Sequence, residues 1–207
     1  IKTDFIQYYF IGMSYFNLDI YKGSFKYLKK FTNIYNKSSD KTKKIYVRNF
    51  AIASNSLYVI MLNKYSYVKA KNYLIPAIKQ LYLHDLSNSY ISFIIHSNLA
   101  HVYNKTSKYK KTIALLEFLL NTNKELIYKN IIPDIHLSLN IAYYNIDKYN
   151  KSIGHIKKII FFYNYIGETN LTLTCYLNFI NAERYSGNFS KAFELTEICK
   201  KNSNNNN

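Results

Sequence analysis

Asparagines recur in this sequence at positions from which a side chain can meet a peptide backbone. Asn98 and Asn178 stand eleven residues before a repeating aromatic, and Asn63 and Asn145 stand four before one. A carboxamide offers an N–H donor and a C=O acceptor together, which matches the C=O and N–H of an extended peptide irrespective of its side chains. The same stripe carries His101, Tyr144, Asn181 and Arg184. Lys105, again four before an aromatic, and Arg184 are cations suited to a terminal or side-chain carboxylate. Asparagine is abundant throughout the chain, however, and the same positions read equally as solvated surface. His101 has the same two readings, contact or ordinary helical histidine.

Other chemistry finds less support. His84, His96, His136 and His155 form no HxxxH or HExxH pair, so no metal or other cofactor is expected. Five glycines build neither GxGxxG nor a Walker loop. The twelve acidic residues are scattered, and Glu194 and Glu197 fall near the end of an exposed helix, so the chain does not read as an enzyme. Cys175 and Cys199 lie on apolar faces and read as buried thiols in a reducing cytoplasm.

The elements that hold these residues follow from a period. Tyr21, Tyr67, Tyr109, Tyr149 and Phe189 are separated by 46, 42, 40 and 40 residues. Three residues after each stands a small side chain: Ser24, Ala70, Thr112, Ser152 and Ala192. Six before stand Tyr15, Met61, Tyr103, Tyr143 and Glu183, and ten before stand Ile11, Leu57, Leu99, Leu139 and Phe179. Offsets of three, four and seven share one face of a helix. Each unit therefore reads as an amphipathic helix, a polar turn ("NLDIY", "NKTSKY", "NIDKY", "YSGNF") and a second amphipathic helix. The fold class expected is all-α, a right-handed superhelical array of about five antiparallel hairpins whose first helices line a concave face.

The units are read as approximately 4–37, 43–84, 88–122, 130–166 and 169–200 of one domain spanning 1–200, with 201–207 as a disordered tail. Residues 37–44, "KSSDKTKK", are expected to be a polar loop. Pro133 should start a first helix, and Pro76 should kink or shorten a second one. "TLTCYLNF" is ambiguous by itself.

A chain of 207 residues buries roughly 70% of its unfolded surface. Its apolar runs, such as Ile159–Phe162, are far shorter than the ~20 residues of a membrane span, and "IKTDFIQYYF" has no leader-like h-region, so a cytoplasmic protein without membrane contact is expected. The missing initiator Met suggests a fragment. The net charge of +16 comes almost wholly from lysine, a hydrated point charge; only Arg48 and Arg184 are arginines. Lys22, Lys26, Lys29, Lys69, Lys71, Lys110, Lys111, Lys157 and Lys158 fall on second helices, a ridge that is either solvated or able to meet nucleic-acid phosphates.

"IGMSYFNLDIYKGSFKYL" and "NLAHVYNKTSKYKKTIALLEFLL" are similar to the tetratricopeptide repeat, without its early Trp and with the small residue kept as Gly12 and Ala100. The longer units, chiefly 90–165, resemble the receptor domains of Gram-positive peptide-sensing regulators of the PlcR kind. That resemblance implies peptide-backbone contacts for Asn98 and Asn178, with a short peptide or protein segment as partner; a homodimer is one assembly open to the chain. It implies DNA contact only through a helix-turn-helix that is not visible in this chain. A general protein scaffold and a lysine-rich nucleic-acid binder of the same fold are the alternatives.

Overall fold

The computed structural model describes residues 5–64, 66–122, 131–167 and 169–204. Among these it forms ten α-helices and no strand: α1 (Ile6–Asn17), α2 (Tyr21–Asn36), α3 (Asp40–Leu62), α4 (Tyr67–Leu83), α5 (Tyr90–Lys105), α6 (Tyr109–Thr122), α7 (Ile132–Tyr144), α8 (Tyr149–Ile166), α9 (Thr169–Tyr185) and α10 (Phe189–Asn204). "TLTCYLNF" lies within α9. The chain divides into two compact units, Ile1–Thr106 and Ser107–Asn207. In the first, α1 packs on α2, α2 on α3, α3 on α4 and α4 on α5, and the alternate helices α1, α3 and α5 also touch in succession. In the second, α6 through α10 pack each on the next.

Every repeating aromatic is the first residue of a helix: Tyr21 of α2, Tyr67 of α4, Tyr109 of α6, Tyr149 of α8 and Phe189 of α10. The turn before it follows one plan where the described residues show it. Asp19, Ser107, Asp147 and Gly187, each two residues before the aromatic, have φ of 57°, 55°, 60° and 86°. The corresponding Tyr65 lies outside the described residues. One residue later the N–H groups of Ile20, Ser66, Lys148 and Asn188 donate back to the carbonyls of Tyr15, Met61, Tyr143 and Glu183 at 2.9, 3.1, 3.0 and 2.9 Å. This is a Schellman closure, which satisfies carbonyls that a helix end would otherwise leave unpaired.

The ring completes the turn. The hydroxyl of Tyr21 donates to Asp19 Oδ1 at 2.8 Å, that of Tyr149 to Asp147 Oδ1 at 2.6 Å and that of Tyr109 to Ser107 Oγ at 3.4 Å. Where the turn residue is Gly187, with no side chain to accept, the ring is Phe189, with no hydroxyl to donate.

The small residues three positions into these helices, Ser24, Ala70, Thr112, Ser152 and Ala192, are all buried. So are Leu57, Leu99, Leu139 and Phe179 on the first helices, but Ile11 is 38% exposed. In α1 it is Gly12 that faces inward, and a Cβ there would lie 2.6 Å from Leu28 Cδ2. The close approach of α2 to bare backbone replaces the side-chain contact expected of Ile11.

The 37–44 loop is corrected to residues 37–39. Ser39 caps α3, accepting from the Thr42 N–H at 3.4 Å, and Asp40 occupies the first turn, so most of the polar stretch is a helix start. Pro133 takes the first-turn position of α7. Pro76 sits inside α4 without shortening it; the helix runs 17 residues. At the far end α10 continues to Asn204, past residue 200, and 205–207 of the expected tail lie outside the described residues.

Burial follows the pattern. Tyr35 stacks on Phe50 at 4.1 Å, and its hydroxyl donates to Lys43 O and to Gln80 Oε1, each at 3.2 Å, which ties α2 to α3 and α4. One helix among the described residues, α3, is long and apolar enough to cross a membrane, with a window of mean hydropathy 1.2. Of that window 56% is buried inside the fold, as befits the central helix of its unit. Both cysteines are free and buried, and burial pushes the Cys175 thiol up to about 11.

Candidate functional site

The candidate residues divide between the two units. In the first, Asn98 on α5 is half-buried, and its Nδ2 donates to Asn55 Oδ1 on α3 at 2.7 Å. One turn on, the His101 ring lies 6.3 Å from that of Tyr67. Burial, then the Lys105 ammonium, holds its pKa below the ordinary 6.5. Lys105 is exposed in the last turn of α5, and Asn63 is exposed at the end of α3, beside the Tyr21 hydroxyl. Asn98, His101 and Lys105, three and four residues apart, share one face of α5.

In the second unit four of the five candidates do converge. Tyr144 and Asn145 at the end of α7, and Asn178 and Asn181 one turn apart on α9, line a single cavity of about 200 Å³ together with Asn140 and Ile141. The reason is helical spacing: residues three and four apart share a face, and the facing stripes of two adjacent first helices meet here. The carboxamides of Asn178 and Asn181 make no hydrogen bond to any described residue. Asn145 turns back on its own helix, donating to Ile141 O at 2.8 Å. No charged side chain among the described residues lines the cavity.

Asn140 was not among the expected contacts, because its offset, nine before the aromatic, falls beside the core stripe. It is buried, and its Nδ2 donates to Ser152 Oγ at 2.6 Å, which fixes the amide and leaves its Oδ1 without a protein partner among the described residues. The signal was a polar residue at a packing offset facing a small hydroxyl three residues past the aromatic.

Tyr144 joins this cavity to an aromatic cluster. Its ring lies 5.5 Å from Tyr149 and 5.9 Å from Tyr185, edge-on to both, while Tyr149 and Tyr185 stack at 5.8 Å. Burial, then Tyr185, raises the Tyr144 hydroxyl above its usual range, so it serves as a donor at neutral pH. Arg184 lies outside the cavity, with its guanidinium 5.1 Å from the Tyr185 ring centroid.

A second polar assembly in this unit has no sequence motif. His155 Nδ1 on α8 lies 3.0 Å from His136 Nδ1 on α7. The His155 ring stacks on Tyr143 at 5.6 Å, and the Tyr143 hydroxyl donates to Glu117 on α6. Burial holds both imidazoles down at about 4, with His155 and Lys158 adding to the effect at His136; at His155 Lys158 adds to it, Glu117 opposes it and Lys151 adds least. Both rings are neutral at pH 7, and one Nδ1 donates to the other. No group of three His, Cys, Asp or Glu side chains among the described residues is arranged to hold a metal ion.

No protein-family model and no curated protein matches the chain. Solved structures do. A kinesin light chain from Podosopora anserina with nearly identical TPR-like repeats is similar with a TM-score of 0.71 at 13% identity, over 95% of this chain and 93% of that one. MamA, residues 41 to the end, from Desulfovibrio magneticus RS-1 gives 0.73 at 12% identity over 99% of this chain and 97% of its own. A Rap protein complexed with Competence and Sporulation Factor gives 0.65 at 14% identity over 96% of this chain and 54% of that one, so the chain spans about half of the Rap protein. What these share with the present chain is the architecture, and the fold is a TPR-like array of helical hairpins.

Proposed function

We propose that the chain is a peptide- or protein-binding module that holds an extended peptide by its backbone, acting as the sensor part of a peptide-responsive transcriptional regulator. The observation that carries this reading is the cavity of the second unit, where Asn140, Asn178 and Asn181 present amide groups around a space of about 200 Å³. That volume is below the ~300 Å³ at which drug-sized pockets begin, and it suits one or two residues of a longer ligand. Amides without neighbouring charge recognise C=O and N–H groups and ignore side chains. Tyr144 supplies a rigid wall, and Arg184 a cation near one end for a carboxylate. The fold shared with the Rap protein that was complexed with Competence and Sporulation Factor lends support. Asn98 is a weaker contact than its spacing suggests, since its N–H₂ group is already engaged by Asn55.

The test is retention of peptides from a mixed-sequence library of short peptides, identified by mass spectrometry, followed by titration of the best binder. Asn178→Ala should weaken that binder about tenfold, the scale of one or two lost backbone hydrogen bonds in a desolvated site. A library from which nothing is retained above background, or equal affinity of wild type and N178A, overturns the reading.

A general scaffold role has one observation in its favour. Phe161 and Tyr165 on α8 are 77% and 84% exposed one turn apart, an apolar pair of the kind a folded partner covers.

A further inference from the structure

The first unit holds most of the charge imbalance, with 15 lysine and arginine residues against four acidic ones, compared with 13 against eight in the second. A cleft of about 540 Å³ opens in that unit between α2 and the start of α4. Lys29 enters it from α2, Lys64 from the turn after α3 and Lys69 from the first turn of α4, and no acidic side chain among the described residues lines it. Two of the ammonium groups share one ring: Lys29 Nζ lies 5.4 Å and Lys64 Nζ 5.7 Å from the centroid of Phe25. None of the three lysines has a carboxylate partner among the described residues.

We propose that this cleft is a binding site for a small organic phosphate carrying at least two negative charges. Ammonium groups repel one another, and the electron-rich face of Phe25 offsets that repulsion while fixing two of the cations in place. A terminal phosphate has three oxygens, each able to meet a separate point charge, whereas a carboxylate is matched by the planar fork of arginine, which the cleft lacks. Asn72 and Tyr73, on the α4 side, add an amide and a hydroxyl that donate to the remaining oxygens. The volume exceeds that of a bare phosphate and falls within the ~300–1,000 Å³ range of small-molecule sites. Nothing in this assignment depends on the asparagine cavity, which lies in the other unit.

Titration calorimetry on the whole chain at ~50 mM salt, with pyrophosphate in one arm and ADP in another, tests it. Pyrophosphate should bind at one site, and Lys29→Gln and Lys69→Gln should each weaken it about fivefold. Lys79→Gln, a lysine of the same helix α4 that does not line the cleft, should leave affinity within about twofold. Phe25→Leu removes no charge yet should weaken binding as K29Q does, because the lysines lose their common support. Tighter binding of ADP than of pyrophosphate supports an organic phosphate as the ligand, and ADP binding no tighter than pyrophosphate overturns that part of the assignment. No binding of either anion, an effect of K79Q equal to that of K29Q, or binding of single-stranded RNA that pyrophosphate fails to displace, overturns the assignment.

Discussion

Acidification should destabilise this protein through the pair formed by His136 and His155. An ordinary histidine titrates near 6.5, and the folded chain holds these two at about 4. Between those values the unfolded chain takes up protons that the folded chain refuses. The stabilisation is therefore complete above pH 6.5 and falls as the pH drops toward 4, below which it falls no further. The interval corresponds to about 3 kcal/mol for one fully responding imidazole. His136 is 7% exposed and should respond nearly in full, while His155 is partly open to water and contributes less, giving about 4 kcal/mol for the pair.

Urea unfolding followed by far-ultraviolet circular dichroism, repeated from about pH 7.5 to about pH 4.5, reads the slope directly. Carboxylates also titrate toward the acid end, among them Asp134, which burial raises, so the informative quantity is the difference from a variant. His155→Gln keeps a side chain able to hydrogen-bond His136 and removes one titrating ring. It should flatten the acid slope by roughly a third to a half. Curves for wild type and H155Q that run parallel across this range would refute the pairing and the burial argument together.

Three further outcomes test the packing and the turns. Gly12→Ala places a Cβ 2.6 Å from Leu28 Cδ2 and 3.0 Å from the Leu28 backbone nitrogen, so α1 must move off α2; chemical denaturation should show a loss of about 1–3 kcal/mol. Ser24→Ala removes a buried hydroxyl that has no hydrogen-bond partner, at a position where two of the other four repeats carry alanine, Ala70 and Ala192, and the melting temperature should hold or rise, a fall counting against the burial assigned to it. Ser107→Gly relieves a left-handed backbone at φ 55° while giving up only a 3.4 Å contact with Tyr109, and should stabilise by about 0.5–1 kcal/mol in thermal unfolding. Asp147→Gly, which loses the 2.6 Å bond from Tyr149, should gain less, and the ordering of the two variants is the check.

The period was legible because each repeat spends the same residues on the same mechanical task. Tyr21, Tyr109 and Tyr149 recur where a helix begins, and two residues before them stand Asp19, Ser107 and Asp147, short polar residues in the left-handed turn. The start of α3 is hidden in the sequence because "KSSDKTKK" is polar throughout, and the Ser39 and Asp40 capping signal sits inside a stretch that looks like a loop. Asn55 and Asn98 lie 43 residues apart, about one repeat, so their contact was implicit in the period; counting from the aromatics put them at offsets of twelve and eleven and hid it. The meeting of Asn178 and Asn181 with Tyr144 and Asn145 could be anticipated from register alone. The contribution of Asn140, and the approach of His136 to His155 across a hairpin, depend on how two helices are rotated against each other, which no spacing within a single helix encodes.

The clasp between a left-handed residue and the ring two places after it joins groups that are already neighbours along the chain. It can close as soon as those few residues leave the ribosome, before any distant partner exists, so the corners before Tyr21, Tyr109 and Tyr149 are ready-made starting points for their own pairs of coils. The corner at Gly187 and Phe189 has no such clasp, and amide hydrogen exchange should find it opening before those at Tyr21, Tyr109 and Tyr149.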